Sequence, residues 1–252
     1  MKKLLKNLFA FAIIIFPLFM ISCKKEQTAT EGTVLVKLNH SWGMSGTSFS
    51  LNTNLVHPMN GDTMNFSKYK YYVSNLKLKK ADGTFWVQPE SYFLVDLSNS
   101  ASSSISLNNV PVGDYTEISY TLGVDSARNV SGAQSGALAT TNDMFWSWST
   151  GYIMIKAEGT SPQSTSGSFS FHIGGFRGQY SAVQSKTASF GSNQLSVSGE
   201  KNTEIHFNVN TAMTWCNSGS CAAVNSIMMP SALSLQMATD FNNGFVFDKI
   251  VE

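Results

Sequence analysis

Charge is scarce in this chain. Only 13% of its 252 residues are Asp, Glu, Lys or Arg, and the formal net charge is +1. No basic surplus marks a nucleic-acid partner, and no acidic tail marks a solvating segment. Cysteine is nearly absent, with Cys23, Cys216 and Cys221 the only three. The roughly 230 residues after the leader are long enough to build a hydrophobic core without covalent staples. Catalytic signatures are missing as well. The sequence has no Gly-x-Ser-x-Gly, no His-Glu-x-x-His and no glycine loop shaped to cradle phosphate. Asp125, Asn129, Asp143 and Glu158 are oxygen donors, but they lack the dense spacing of a calcium loop and read first as turn and capping residues. An enzyme is therefore not expected. No internal repeat is visible, and no stretch keeps a 3.6-residue apolar period over a dozen residues.

The one long apolar run lies at the start. Lys2, Lys3 and Lys6 precede Leu8 to Ile21, which is interrupted by Pro17 and is short for a membrane-spanning helix. Met20-Ile-Ser-Cys23 then reads as a lipobox. We read residues 1–22 as a lipoprotein signal peptide, residues 23–32 as the lipidated Cys23 and a polar tether, and residues 33–252 as one domain. The expected location is the periplasmic or cell-surface side of an outer membrane, with acyl chains as the only membrane attachment. In that oxidising setting Cys216 and Cys221 are expected to pair across Asn217-Ser-Gly-Ser220. The alternative is a soft metal site that adds Met213, Met228 and Met229.

The rest of the chain is a series of short strand patterns. Val34 to His40 alternates, with Val34, Val36, Leu38 and His40 on one face. Further patterns span residues 65–79, 87–97, 105–107, 115–124, 152–157, 168–173 and 203–209. Pro111-Val-Gly-Asp114 marks a turn. A helical turn is expected near Asn142 to Phe145, capped by Asn142 or Asp143, and residues 160–168 and 210–232 read as loops. Short strands separated by Gly, Ser and Asn predict an all-β fold, an antiparallel β-sandwich.

Two residue classes stand out as candidate site groups. Met144, Phe145, Trp146, Trp148 and Tyr152 crowd one short segment, which reads either as a plug sealing the sandwich or as part of a site. The histidines, His40, His57, His172 and His206, include no pair at close ligand spacing. A metal site would have to be assembled from separate strands. Taken singly, each histidine reads as a hydrogen-bonded surface or rim residue.

An ordered set of motifs resembles the copper-binding MbnP-like family of bacterial lipoproteins. The pieces are Tyr71-Tyr-Val-Ser-Asn75 with Leu76-Lys-Leu78, Tyr92-Phe-Leu-Val-Asp96, Val110-Pro-Val-Gly-Asp-Tyr115 and Leu122-Gly-Val-Asp125. Met144-Phe-Trp-Ser-Trp148, Gly151-Tyr-Ile153, Lys156-Ala-Glu-Gly159 and Phe171-His-Ile-Gly-Gly175 follow. The resemblance covers roughly residues 33–210 and implies a β-sandwich that binds or handles copper. It implies histidine ligands, for which we name His40, His172 and, next in line, His206. It also implies a tryptophan oxidised to kynurenine by a partner resembling a diheme cytochrome c peroxidase. Trp146 and Trp148 lie in the strongest motif, and Trp42, on the same side of its strand as His40, is their rival. The other class of function is a metal-free structural, protein-binding or carbohydrate-binding module.

Overall fold

The computed structural model describes residues 29–252 except 44, 133, 148–150 and 216–218. The signal-peptide and Cys23 readings, Trp148 and Cys216 lie outside the described residues.

The described strands are β1 (Glu31–Trp42), β2 (Thr47–Ser48), β3 (Asn54–Val56), β4 (Thr63–Lys80), β5 (Phe85–Val87), β6 (Tyr92–Asp96), β7 (Ser104–Pro111) and β8 (Gly113–Leu122). They continue with β9 (Phe145–Trp146), β10 (Gly151–Thr160), β11 (Ser168–Gly174), β12 (Gln184–Ser189), β13 (Leu195–Val197), β14 (Thr203–Asn210), β15 (Ser226–Ile227) and β16 (Phe245–Val251). The helices are a single turn, α1 (Ser126–Asn129), and α2 (Ala232–Asn243).

Two sheets form the sandwich. The smaller runs β16-β14-β1-β2, with β7 on β1; the larger runs β12-β8-β4-β10-β11-β15, with shorter strands paired along it. The fold is all-β as expected, but the sheets are mixed rather than purely antiparallel. β1 and β14 run parallel, Val34 opposite Thr203 through Ser41 opposite Asn210, and so do β11 and β15. A parallel neighbour requires a crossover. Here the chain from Gly43 to Asn202 passes between β1 and β14, which local alternation does not reveal.

β4 threads the centre of the larger sheet, and its length depends on bulges. Pairing with β10 shifts between Gly159 opposite Phe66 and Glu158 opposite Lys68. The extra residue resets the alternation. Phe66 and then Tyr69 and Tyr71 therefore all face the space between the sheets, where each is fully buried. Gly159 admits this approach because a Cβ there would stand 2.0 Å from the Asn65 backbone oxygen. Phe66, Tyr69, Phe169, Phe171, Trp215 and Phe241 pack ring against ring, edge-to-face where Phe66 meets Tyr69 and Phe169, stacked between Phe169 and Phe171, and tilted where Tyr69 meets Phe241 and Phe171 meets Trp215.

Several local expectations need correction. The 87–97 pattern breaks into β5 and β6, because Gln88 to Ser91 leave the ladder and Glu90 takes a positive φ of 45°. Near residue 142 the chain makes a 3-10 turn, Thr140–Asn142, and Asp143 closes it in the left-handed region rather than capping a helix start. The 210–232 stretch contains a 3-10 turn (Thr211–Trp215) and β15. α2 follows, capped reciprocally by Ser231 and Ser234. It has no acidic first turn and no basic last turn, so it lacks the charge signals that mark helix ends.

Candidate functional site

The inward face of β1 ends in His40 and Trp42, and the two meet different partners. The His40 ring reaches across the sandwich, with Nε2 2.8 Å from the Tyr71 hydroxyl. Burial pushes its pKa down to about 4, so the imidazole is neutral at ordinary pH. Tyr71 is fully buried, and burial, with Tyr69 and Tyr120 nearby, raises its pKa well above the usual phenol range. The phenol keeps its proton. Donation from the Tyr71 O–H to Nε2 satisfies both groups, whereas the opposite tautomer would strand the phenol hydrogen in the core. His40 also lines a groove of about 420 Å³, with Asn39, Ser48, Ser50, Leu97 and Ser100 around it.

Trp42 lies deeper. Its indole N–H donates to the Val56 carbonyl at 2.8 Å, and the ring stands edge-on to His57 at 5.8 Å between centroids. No motif or strand period marks His57 in the sequence. It lies in a turn next to Pro58, outside any strand period. Its ring is almost wholly buried, Nδ1 accepts from the Met59 and Asn60 backbone N–H groups, and Nε2 makes no well-formed hydrogen bond. Burial lowers its pKa, against the opposing pull of the Ala212 backbone and Asp62. Asp62 in turn accepts from the Cys221 N–H at 2.5 Å. Cys221 itself is a free, buried thiol, raised in pKa chiefly by burial.

His172 lies on the other face of the larger sheet. It stands opposite Lys156 in the β10–β11 register and alternates away from Phe169, Phe171 and Ile173. Nε2 is 2.7 Å from Glu158 Oε1 and 3.3 Å from the Ser170 hydroxyl. Burial lowers its pKa, partly offset by Glu158. The same face carries Lys156, only 3% exposed, whose ammonium donates to Asp143 at 2.7 Å. Lys68 bridges Asp143 and Glu158. Despite some burial, hydrogen bonds from Lys156 and Lys68 hold Asp143 down to about 2. The group is a closed ionic network rather than an open ligand set.

His206 occupies a third surface, the outside of the smaller sheet. Its Nε2 is 2.7 Å from Glu204, and Lys37 is paired with the same carboxylate. His40, His172 and His206 are therefore not brought together. His40 points between the sheets, while the other two point away from the core on opposite sheets. Among the described residues, no three His, Cys, Asp or Glu side chains converge in a way that could hold a metal ion.

Trp146 has a packing role. A Cβ at Gly174 would stand 2.5 Å from its ring, so the indole lies directly on the glycine of the His-Ile-Gly-Gly motif. Gly175 next to it takes a φ of +106°, a conformation that favours glycine.

The MbnP family model matches residues 31–229. Among curated proteins none matches. Among solved structures, MbnP from Methylosinus trichosporium superposes with a TM-score of 0.52 at 13% identity, covering 81% of this chain and 84% of that one. At that identity the likeness is one of fold.

Proposed function

The chain belongs to the MbnP family, and from that premise we propose that it is an extracytoplasmic lipoprotein that binds copper as cargo, with His40 as the principal protein ligand. The observation that carries this reading is the state of His40. It is a neutral imidazole at the end of a central strand, fixed by a buried phenol and bordering a groove. Neutral imidazole suits copper, and a ligating histidine is commonly oriented by a hydrogen bond at its other nitrogen. Ligation through Nδ1 requires the other tautomer, in which the Tyr71 oxygen accepts from Nε2–H and the phenol hydrogen loses its acceptor, so copper binding has to offset that cost. His172 and His206 are each committed to a glutamate on a separate surface, so they are not ligands of the same ion. The donor set fits copper in part: one imidazole is in place, and a complete site needs a further ligand.

Of Trp42 and Trp146, the two candidates among the described residues, Trp42 has the surroundings that better fit oxidation to kynurenine by a diheme peroxidase-like partner. It shares a face with His40 and touches His57, whereas Trp146 is wedged on Gly174. An intact indole has no lone pair for a metal, while the aryl amine of kynurenine has one. In this reading the protein handles metal and is not itself an enzyme.

Metal analysis with intact mass, on protein from its native host, tests the proposal. His40→Ala should lose copper, while His172→Ala and His206→Ala keep it. Copper retained in His40→Ala and lost in either other variant overturns the assignment. Peptide mapping showing an unmodified Trp42 in copper-loaded native protein removes the kynurenine step and leaves His40 standing.

A further inference from the structure

A groove of about 600 Å³ lies away from all four histidines, on the outer face of the larger sheet. Its floor is built by strand register. Thr187 of β12 stands opposite Ser119 of β8, which stands opposite Lys77 of β4. One row along, Ser185 stands opposite Thr121. Neighbouring strands are about 4.8 Å apart, so the floor is a lattice of hydroxyls at the scale of one sugar ring. Ser119 and Thr187 already hold each other at 2.9 Å.

The walls are equally polar. Gln88, Glu90 and Tyr92 come from the β5–β6 segment, and Arg128 comes from α1. Arg128 is paired with Glu90 and lies over the Tyr92 ring at 5.1 Å. The Tyr92 hydroxyl donates to Asp125 at 2.5 Å, as does the Asn75 amide at 2.9 Å. These contacts fix the wall in place. Two groups are left over. The Gln88 side-chain oxygen is buried without a donor. Among the described residues, no carboxylate is within ion-pair distance of Lys77, whereas Lys79, two residues on, is paired with Glu117.

We propose that this groove is a second binding site, and that its ligand is an acidic oligosaccharide. β8 and β4 are paired on both sides and β12 is the edge of the sheet, but the groove lies on the sheet's face, where side chains and not backbone groups meet a ligand, so strand addition is not its mode of binding. The apolar part of the lining, from residues such as Val87 and Tyr92, is smaller than the polar part, as suits the mixed faces of a sugar ring. A chain of ring hydroxyls can exchange donors and acceptors with Ser119, Thr121, Ser185 and Thr187. Turned into the groove, the Gln88 amide oxygen gains a sugar hydroxyl as donor, and a uronate carboxylate supplies the anion that Lys77 lacks. The site is independent of the copper reading, because no residue is shared with the His40 groove.

Calorimetric titration of the full mature protein with trigalacturonate and with maltotriose tests this. Trigalacturonate is expected to bind more tightly, and added salt should narrow the gap. Lys77→Ala should weaken trigalacturonate alone, by up to about fivefold for an exposed charge pair. Gln88→Leu should weaken both sugars, and His40→Ala should change neither. Thermal unfolding confirms that each variant is folded. Binding of neither sugar, or binding indifferent to both Lys77→Ala and Gln88→Leu, overturns the proposal.

Discussion

Replacing His40 with glutamine isolates the free-energy cost of burying an imidazole at the rim of this core. The folded protein holds His40 at about 4, against 6.5 for a free imidazole, because of burial. A histidine whose folded pKa is depressed binds its proton more readily in the unfolded chain. Stability is therefore fully present above the unfolded value and is lost as pH falls toward the folded one. Between about pH 8 and about pH 5 the loss amounts to about 2 kcal/mol. It approaches about 3 kcal/mol if the fold survives below about pH 4. Glutamine cannot titrate, yet its amide oxygen can still accept the Tyr71 proton, so the core hydrogen bond has a substitute. His57 and His172, also depressed mainly by burial, remain in both proteins, and their share cancels in the comparison.

The assay is urea unfolding of wild type and His40→Gln at the two pH values. Wild type should lose about 2 kcal/mol more than the variant on acidification. The denaturant slope should be the same in both, showing that the unfolded surface has not changed. Parallel pH profiles would refute the reasoning, because His40 would then titrate as a solvated imidazole and could not be a desolvated, neutral ligand.

Three further outcomes follow from the same geometry. Gly174→Ala should cost about 1–3 kcal/mol by forcing the Trp146 ring out of contact, read as a lower urea midpoint; an unchanged midpoint would show that the indole moves freely. Asp143→Ala should destabilise more than Lys156→Met, because the first leaves a buried ammonium short of its closest anion and the second removes the charge with its stem volume kept; the reverse order in thermal melts would contradict the network described. Cys23→Ser should release the processed protein from membranes, and tight association on fractionation would require another anchor.

Most strands were legible because the alternation that marks them also buries them. Val34, Val36 and Leu38 read as one face in the sequence and lie in the core. Bulges were not legible. The phase shift in β4 depends on Gly159 of another strand meeting Asn65, a contact between residues nearly a hundred positions apart. The parallel pairing of β1 with β14 was hidden for the same reason, since register is a property of two segments and periodicity is a property of one. α2 does not stand out in the sequence because its capping pair, Ser231 and Ser234, lies among many other serines and the helix carries no charge bias at its ends.

The candidate site divides along the same line. That His40 faces inward follows from counting along β1, and that His172 faces away from Phe171 follows from counting along β11. Neither count says which side of the larger sheet belongs to the core. Tyr71 settles that. Its ring touches His40, Phe241 and Phe245, so the inner face of β4 is the face toward β1, and Lys156 with His172 falls on the outside. Two histidines that looked interchangeable from sequence thereby acquire opposite chemistry. His40, held by a phenol in a desolvated setting, stays neutral and offers a nitrogen lone pair at Nδ1 once its proton moves to Nε2. His172, held by Glu158 amid two lysines, completes an ionic network. Burial lowers the pKa of both, so what separates them as ligands is the groove beside His40 and the carboxylate that already engages His172.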